Sequence, residues 1–368
     1  MGNRFSTRAL VVSRAFTNRA TRSQPPRDVA RILIAHNLLL GDTLMLTPLL
    51  AKLREIHPAA SLTLLAAPAI VPLYETRPYG VRALPFTPRD VTTTHALLQE
   101  APFDLAFVIG DNRYSWLAAA MGAGHIVAHS GDFPWTKDWF VDAARDYASQ
   151  PAAWGDMVAD LVAGPPPRPF ASHDWPAPAA RAFTLPPSPF AVLHVGASTP
   201  LKLWPAARWA ALAAALEQRG LRPVWSAGRD EEALVDAADP QRRYLSLAGK
   251  LDLPQLWKLL SGARVLVSPD TGVAHLGRVS RTPTVVLFGP GSAVLCDPGN
   301  FWRDTPWAAV SEEDFPCRDQ KLLFRREIHW VRRCARTPRE CAEPRCMQAL
   351  GVDRVVATVD SLLARTDG

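Results

Sequence analysis

The chain alternates short apolar runs with longer segments in which apolar residues recur every three or four positions. The short runs are rich in β-branched residues and favour strands, whereas the periodic segments favour helices. Strands are predicted at residues 31–35, 61–66, 81–85, 104–109, 190–195, 221–227, 264–268 and 284–288, and helices near residues 205–219, 252–261 and 271–280. This alternation is typical of α/β proteins in which helices cover a parallel sheet.

A proline-rich segment divides this pattern into two halves of similar size. Residues 164–189 contain nine prolines in 26 positions, and each proline removes a backbone donor. We therefore predict an N-terminal domain at residues 29–163, a linker at 164–189 and a C-terminal domain at 190–345. Apolar residues at helical spacing within residues 346–368 predict a closing helix that packs against the body.

The formal net charge of +6 belongs to the N-terminus of the chain. Residues 1–27 contain six arginines and no acidic residue, and the remainder carries 35 basic and 35 acidic residues. No nucleic-acid partner is therefore expected. A disordered basic leader is predicted at residues 1–28, because Phe5, Leu10, Val12 and Phe16 do not separate cleanly from the arginines on a helical wheel. The alternative is an anchor to an anionic membrane surface.

Two further features of the composition bear on location and redox state. No apolar run approaches the roughly 20 residues needed to span a bilayer, which predicts a cytoplasmic protein, at the inner face of the membrane if the leader is an anchor. All five cysteines lie in the last quarter of the chain, without a Cys-x-x-Cys pair. Free thiols are therefore predicted in preference to a zinc site.

Candidate ligand-binding residues follow the predicted strands, because ligands of doubly wound sheets bind at the carboxyl ends of the strands. After the first strand, Gly41 and Asp42 open a helix. Asp42 is either the N-cap of this helix or a general base that faces the cleft.

The loop after residues 190–195 combines small residues, hydroxyls and one cation: Gly196, Ser198, Thr199 and Lys202. This combination suits a diphosphate. Alternatively, Lys202 is a solvated surface lysine. No Gly-Lys-Ser/Thr and no Gly-x-Gly-x-x-Gly occurs in the chain, which removes the main support for a nucleoside triphosphatase or a dinucleotide-dependent dehydrogenase.

A third junction follows residues 264–268. Asp270 and Thr271 are expected to cap a helix, and Gly272 keeps side chains away from its free amides, so an anion site is predicted. His275 lies one turn into the helix, on the same face as Thr271. The alternative for His275 is a histidine bonded to a neighbouring carbonyl. A second glycine-rich strand end, at residues 288–292, predicts the same kind of anion site more weakly.

Together these motifs resemble those of glycosyltransferase family 9, the ADP-heptose:lipopolysaccharide heptosyltransferases. The resemblance spans residues 31–363 and rests on Gly41-Asp42 with Thr47-Pro48, residues 196–198 with 202–205, residues 247–250 with Leu253, residues 268–272 with His275, and residues 288–290. It implies a GT-B fold of two Rossmann-like domains, with the acceptor on the first and the nucleotide-sugar on the second. It also implies a last helix that crosses back.

The resemblance implies a role for each candidate residue. Asp42 matches the proposed base, Lys202 the lysine that neutralises the diphosphate, and Asp270, Thr271, Gly272 and His275 the donor loop. The nucleoside is expected near Gly228 and Glu231. The expected reaction is inverting transfer of a heptose or a related sugar from a nucleoside-diphosphate donor to a lipopolysaccharide-core or other glycan acceptor, and ADP-heptose is the expected donor.

Neither a metal nor a cofactor is expected, because no Asp-x-Asp pair appears where such folds would need it and helix amides with Lys202 can replace a divalent cation. Two alternatives stay open: a nucleotide-sugar epimerase or hydrolase on the same fold, and a catalytically silent protein that binds the nucleotide-sugar. Two departures stand out from the family pattern. Residues 36–40 are more apolar than an acceptor site suggests, and residues 297–339 match poorly.

Overall fold

Two six-stranded parallel sheets, one from each half of the chain, form the frame of the protein. The structure is a computed structural model and describes residues 4–19, Pro26 and residues 28–367. The order of the first sheet is β3-β2-β1-β4-β5-β6 and that of the second is β12-β11-β10-β7-β8-β9. This arrangement confirms the predicted α/β class and the prediction of two Rossmann-like domains that face each other across a cleft.

The N-terminal half contains the strands β1 (Arg31–Ala35), β2 (Ser61–Ala66), β3 (Val81–Pro85), β4 (Leu105–Val108), β5 (His125–His129) and β6 (Ala143–Arg145). Its helices are α1 (Arg4–Arg19), α2 (Leu40–Leu44), α3 (Thr47–Ile56), α4 (Val91–Leu97), α5 (Tyr114–Ala120) and α6 (Trp154–Ala159). Residues 32–35 of β1 are fully buried, because helices cover both faces of the sheet.

The C-terminal half contains the strands β7 (Phe190–His194), β8 (Arg222–Ser226), β9 (Leu245–Ser246), β10 (Val265–Pro269), β11 (Thr284–Phe288) and β12 (Trp307–Ser311), then a hairpin of β13 (Leu322–Leu323) and β14 (Arg326–Glu327). Its helices are α7 (Ala206–Gln218), α8 (Glu232–Ala238), α9 (Leu253–Ser261), α10 (Gly272–Val279), α11 (Arg345–Gln348) and α12 (Val352–Asp367). All eight predicted strands are present, whereas the sequence does not predict β5, β6, β9, β12, β13 or β14.

The predicted disorder of the N-terminal leader is wrong for residues 4–19, which form α1. This helix packs on α5 and α4. Ala15 is fully buried, and the Arg14 guanidinium donates a hydrogen bond to the Leu98 carbonyl at 2.6 Å. The apolar residues of α1 divide between an inward and an outward face, which is why they do not form a single stripe on the wheel. Arg22 and Arg27 of the predicted leader lie outside the described residues.

The proline-rich segment runs along the surface of both halves. Residues 164–189 contain one short 3-10 turn, at Ser172–Asp174. Next to this turn, the buried Trp175 donates a hydrogen bond to the Leu73 carbonyl at 3.0 Å and packs against Trp257 with ring centroids 5.8 Å apart. The segment therefore contacts a helical turn of the N-terminal half and helix α9 of the C-terminal half.

The C-terminal helix α12 packs on the C-terminal half and not across the cleft. Its main contacts are with α7, β11 and β12. Val355 and Val359 are fully buried, and Arg219 pairs with Asp360 at 2.9 Å. The expectation of a last helix that crosses back to the N-terminal domain is therefore wrong, because the apolar stripe of α12 completes the core of the second sheet.

The β13–β14 hairpin, and not the last helix, crosses from the C-terminal half to the N-terminal half. Its buried Arg326 donates hydrogen bonds to the carbonyls of Gly110 and Ser130, each at 2.7 Å, and to the Asn112 side chain at 2.8 Å. Asp132 lies 3.5 Å from the same guanidinium. These acceptors follow β4 and β5, so one cation ties the C-terminal half to the carboxyl edge of the first sheet.

Candidate active site

A cleft of about 820 Å³ lies between the carboxyl edges of the two sheets. Most of the predicted site residues line it: Asp42, Gly196, Ser198, Thr199, Lys202, Glu231, Asp270, Thr271, Gly272 and His275. Gly228 is not among the lining residues. It lies behind Glu231, and its backbone N–H donates to the Glu231 carboxylate at 2.6 Å.

Two glycines let the first turns of α2 and α10 touch across the cleft. A Cβ on Gly272 would lie 2.8 Å from the Leu40 Cβ and 3.0 Å from the Gly41 nitrogen, and a Cβ on Gly41 would lie 2.9 Å from the His275 ring. No side chain fits between these backbones. Gly41 is therefore explained by the contact between the domains, which the sequence alone did not reveal.

Asp42 is not an N-cap, so that alternative is wrong. The cap position of α2 is Leu39, and Asp42 is the third residue of the helix. No hydrogen bond to its carboxylate occurs among the described residues. Burial, and secondarily the charge of Asp270, raises the pKa of Asp42 from 3.8 to about 6, whereas Lys202 and Arg333 oppose the rise.

Lys202 and Asp270 form an ion pair on the opposite wall of the cleft. The Lys202 ammonium lies 2.7 Å from the Asp270 carboxylate and donates to the Asp270 carbonyl at 2.8 Å. The Lys202 side chain is 23% exposed, so the description of a solvated surface lysine is wrong. Asp270 is engaged with Lys202 and does not cap α10.

The amino end of α10 is open to the cleft. Thr271 occupies the cap position, but its side chain makes no capping bond; its hydroxyl lies 3.2 Å from that of Ser268. The first amides of the helix therefore lack the side-chain acceptor that usually satisfies them. Together with the positive end of the helix dipole, they give the cleft a feature suited to an anion, and the anion site stays a prediction.

Glu231 joins the loops that follow β7 and β8. Its carboxylate accepts hydrogen bonds from the N–H groups of Ala197, at 3.1 Å, and Gly228, at 2.6 Å. A Cβ on Gly196 would collide with this carboxylate. Both glycines therefore make room for Glu231, which shapes the floor of the cleft between the two loops.

His275 is a neutral, buried histidine. Burial lowers its pKa well below the usual value, and the charges of Arg278 and Lys202 act in the same direction. Its Nδ1 has no hydrogen-bond partner in the described part of the chain. The alternative of a helix histidine bonded through Nδ1 to a nearby carbonyl is therefore not supported.

The sequence missed the residues that the poorly matched segment contributes. Arg333, Arg336, Leu323 and Phe324 line the cleft, as does Trp154 from α6. Arg336 forms a bidentate pair with Asp319 at 2.8 Å for each contact. The basic run Arg332-Arg333-Cys334-Ala335-Arg336 could have pointed to an anion site, but no strand or glycine-rich turn marked it.

Asp270, His275 and Cys296 bring together one oxygen, one nitrogen and one sulfur ligand atom within 4.8 Å of one another. The Asp270 carboxylate already pairs with Lys202, and Arg278 lies beside His275. Two positively charged side chains therefore lie beside this group, and their charge disfavours the binding of a metal cation. The sequence prediction of a metal-free site stays a prediction. All five cysteines are free of disulfides.

None of the helices in the described ranges is both long and apolar enough to span a bilayer.

Comparisons with known proteins agree with this architecture. A family model for glycosyltransferase family 9 (heptosyltransferase) matches residues 96–320. Lipopolysaccharide heptosyltransferase 1 of Pseudomonas aeruginosa is 32% identical over 189 residues, so the match spans 48% of this chain and about half, 49%, of that relative. Lipopolysaccharide heptosyltransferase 3 of Escherichia coli K12 is 23% identical over 337 residues, 78% of this chain and 88% of the relative.

Solved structures show the same fold at low identity. The ADP-heptose lipopolysaccharide heptosyltransferase II of E. coli superposes with a TM-score of 0.69 at 17% identity, covering 92% of this chain and 100% of that one. The iron-containing dodecameric glycosyltransferase TibC of enterotoxigenic E. coli gives 0.57 at 15% identity, covering 94% and 78%. Because the family model matches more than half of the chain, this protein belongs to glycosyltransferase family 9.

Proposed function

We propose that the protein transfers a heptose from a nucleoside-diphosphate donor, ADP-heptose, to a glycan acceptor of the lipopolysaccharide core. One observation carries the proposal. A carboxylate with a raised pKa, that of Asp42, lies across a cleft from a lysine and from a helix amino end without a side-chain cap. This is the pairing of a base with an anion sink that glycosyl transfer from a diphosphate requires.

The reaction assigns a role to each wall of the cleft. An acceptor hydroxyl attacks the anomeric carbon while Asp42 takes its proton, and the bond from that carbon to the diphosphate oxygen breaks. Attack opposite the leaving group inverts the anomeric configuration. Lys202 and the amides of α10 stabilise the charge that develops on the departing diphosphate.

The ion pair of Lys202 with Asp270 prepares the donor site. In the structure the ammonium is held by Asp270 at 2.7 Å. A bound diphosphate offers a second anionic partner for the same ammonium, and Arg333 adds positive charge to the lining of the cleft. These fixed cations supply what a divalent metal supplies elsewhere, which supports transfer without metal.

The acceptor side of the cleft is apolar next to the proposed base. Leu39 is 72% exposed beside Asp42, and Leu40, Trp154 and Phe324 line the same cleft. Such a surface suits an acceptor that presents an apolar face beside its hydroxyl, as sugars of a glycolipid do. The acceptor we propose is therefore a lipid-linked glycan.

The test is incubation with ADP-heptose in the presence and in the absence of a lipopolysaccharide-core acceptor. Transfer requires the acceptor and gives a product whose anomeric configuration, read by NMR, is opposite to that of the donor. Sugar release or isomerisation without acceptor would indicate a hydrolase or an epimerase. Donor binding without turnover under either condition would indicate a silent binding protein.

Two controls address the donor and the metal. ADP at 100 times its Kd should add roughly 2.7 kcal/mol of stability in a thermal-shift assay, and UDP or GDP should add less. A preference for UDP would contradict the heptose assignment. Turnover should survive EDTA, and loss of turnover that a divalent cation restores would contradict metal-independent transfer.

A further inference from the structure

Helix α1 presents an apolar stripe to the outside of the protein. Val12 is 41% exposed and Phe16 is 49% exposed, one helical turn apart. Val11 and Ala15, on the other side of the helix, pack into the N-terminal domain. Phe16 packs edge to face on Trp116 and on the buried Phe140, with ring centroids 5.7 Å and 5.4 Å apart. One side of α1 therefore completes the core, whereas the other side keeps Val12 and about half of Phe16 exposed to solvent.

The loop after β5 extends this stripe with aromatic rings. Phe133 is 73% exposed, Trp135 65% and Trp139 38%. The ring centroid of Trp139 lies 6.4 Å from that of Phe16 and 5.3 Å from that of Trp135. We call Val12, Phe16, Phe133, Trp135 and Trp139 the aromatic face. Ring contacts join Phe16, Trp139 and Trp135 of this face, and exposed apolar side chains that adjoin one another in this way mark an interaction surface.

An apolar groove of about 410 Å³ adjoins the aromatic face between α1, α4 and α5. Its walls include Val11, Val12, Phe86 and Leu117. Three arginines, Arg8, Arg89 and Arg113, stand at the same groove. The groove thus combines an apolar interior with guanidinium groups, the pairing that suits a phosphate attached to an acyl chain.

The charge around this surface is positive. Arg8 and Arg89 are exposed and have no carboxylate partner among the residues that the structure describes. Arg113 pairs with Asp111 at 2.7 Å. Among the described residues that line the groove, the single carboxylate is that of Asp90, which accepts a hydrogen bond from the Thr92 N–H at 2.8 Å as the cap of α4. An anionic partner is therefore favoured.

We propose that the aromatic face and its arginines dock the protein on an anionic lipid membrane. A helix that lies along the surface with apolar side chains outward and arginines beside them is the arrangement of interfacial membrane helices. Exposed tryptophans suit the same boundary, because the indole has an apolar body and a polar N–H. The groove gives one acyl chain a place beside the arginines.

The position of the face gives docking a consequence for the cleft. Its loop follows the carboxyl end of β5, and Asp42 follows β1 at the same edge of the same sheet. A membrane bound there brings lipid-linked molecules to the acceptor side. This step alone rests on the proposed function; membrane docking itself does not.

The experiment is sedimentation of the full chain with vesicles, without donor or acceptor. The wild type should bind phosphatidylglycerol–phosphatidylcholine vesicles, less at high salt, and should not bind phosphatidylcholine alone. The double variants Phe133→Ser/Trp135→Ser and Arg8→Glu/Arg89→Glu should each lower the partition coefficient by about tenfold or more. Leu245→Ser and Arg222→Glu, exposed changes in the C-terminal domain, are the matched controls and should bind as the wild type does.

A second readout guards against misfolded variants. Brominated lipid should quench the fluorescence of the wild type more than that of Trp135→Phe, while the melting temperatures of the two remain equal. Equal sedimentation of all variants would overturn the proposal. So would a dimer in sedimentation velocity that Trp135→Ser dissociates, since a second copy would then cover the face. Neither result bears on glycosyl transfer in solution, which is measured separately.

Discussion

The replacement Asp42→Asn separates catalysis from stability, because we expect the two to move in opposite directions. The pKa of Asp42 is raised from 3.8 to about 6, so its contribution to stability is fully present below pH 3.8 and is lost as the pH rises through about 6. At 1.36 kcal/mol for each pKa unit, ionisation of Asp42 lowers the free energy of unfolding by at most about 3 kcal/mol. Partial exposure of the side chain reduces this loss to about 1–2 kcal/mol. Asparagine does not ionise, so the variant does not lose this stability as the pH rises.

Asp42→Asn should therefore be more stable than the wild type at pH 8 by about 1–2 kcal/mol, and this advantage should vanish near pH 4. Urea unfolding at several pH values measures it, with the exposed Asp314→Asn as the control. The same variant should bind ADP normally yet lose on the order of 10²-fold or more in transfer rate, because asparagine cannot take the acceptor proton. The kcat/KM of the wild type should rise with pH through about 6.

Two outcomes would refute this reasoning. Near-normal turnover of Asp42→Asn would remove Asp42 from the reaction. If the free energy of unfolding of Asp42→Asn depends on pH as that of the wild type does, burial does not raise the pKa of Asp42.

Three further predictions follow from contacts across the cleft. Lys202→Ala should weaken ADP binding by a few kcal/mol and move the acid limb of the kcat/KM profile to higher pH, whereas Asp270→Asn should move that limb to lower pH, because the two charges act on Asp42 with opposite sign; limbs that move together would contradict this. Gly272→Ala should cost about 1–3 kcal/mol in a denaturant titration and slow transfer, because its Cβ meets backbone, whereas Gly351→Ala, with open space around it, should be silent. Arg326→Met should destabilise by about 3–5 kcal/mol in the same titration, since it leaves the carbonyls of Gly110 and Ser130 and the Asn112 side chain without their donor, whereas Asp132 keeps its pair with Lys137; a loss below 1 kcal/mol would show that the crossing is only a surface contact.

The strands that could be predicted from the sequence are those with a continuous apolar run. β1, β7 and β11 are buried on both faces and carry no polar interruption, so period and composition suffice. β5 begins and ends with histidine, and β6 has only three residues, Ala143–Arg145. Neither gives a pattern that stands out from its surroundings.

The candidate site also contains residues that the sequence could predict and residues that it could not. Residues directly after a strand, such as Asp42 and Lys202, could be found because a parallel sheet brings all its carboxyl ends to one edge. The pairing of Lys202 with Asp270 joins positions 68 residues apart, and Arg326 reaches Gly110 across 216 residues. No local pattern encodes such partners. The exposed apolar side of α1 could not be predicted for another reason, because apolar residues on two sides of one helix do not form a single stripe.

The crossing of Arg326 limits how this enzyme can be recombined with its relatives. A chimera joined within residues 164–189 would take its N-terminal half from one parent and its C-terminal half from another. The hairpin would then come with the C-terminal half, but the carbonyls of Gly110 and Ser130 and the side chains of Asn112 and Asp132 would come with the N-terminal half. A functional exchange therefore has to move residues 322–327 together with the first sheet. In this fold the unit of inheritance for the N-terminal half is discontinuous in sequence.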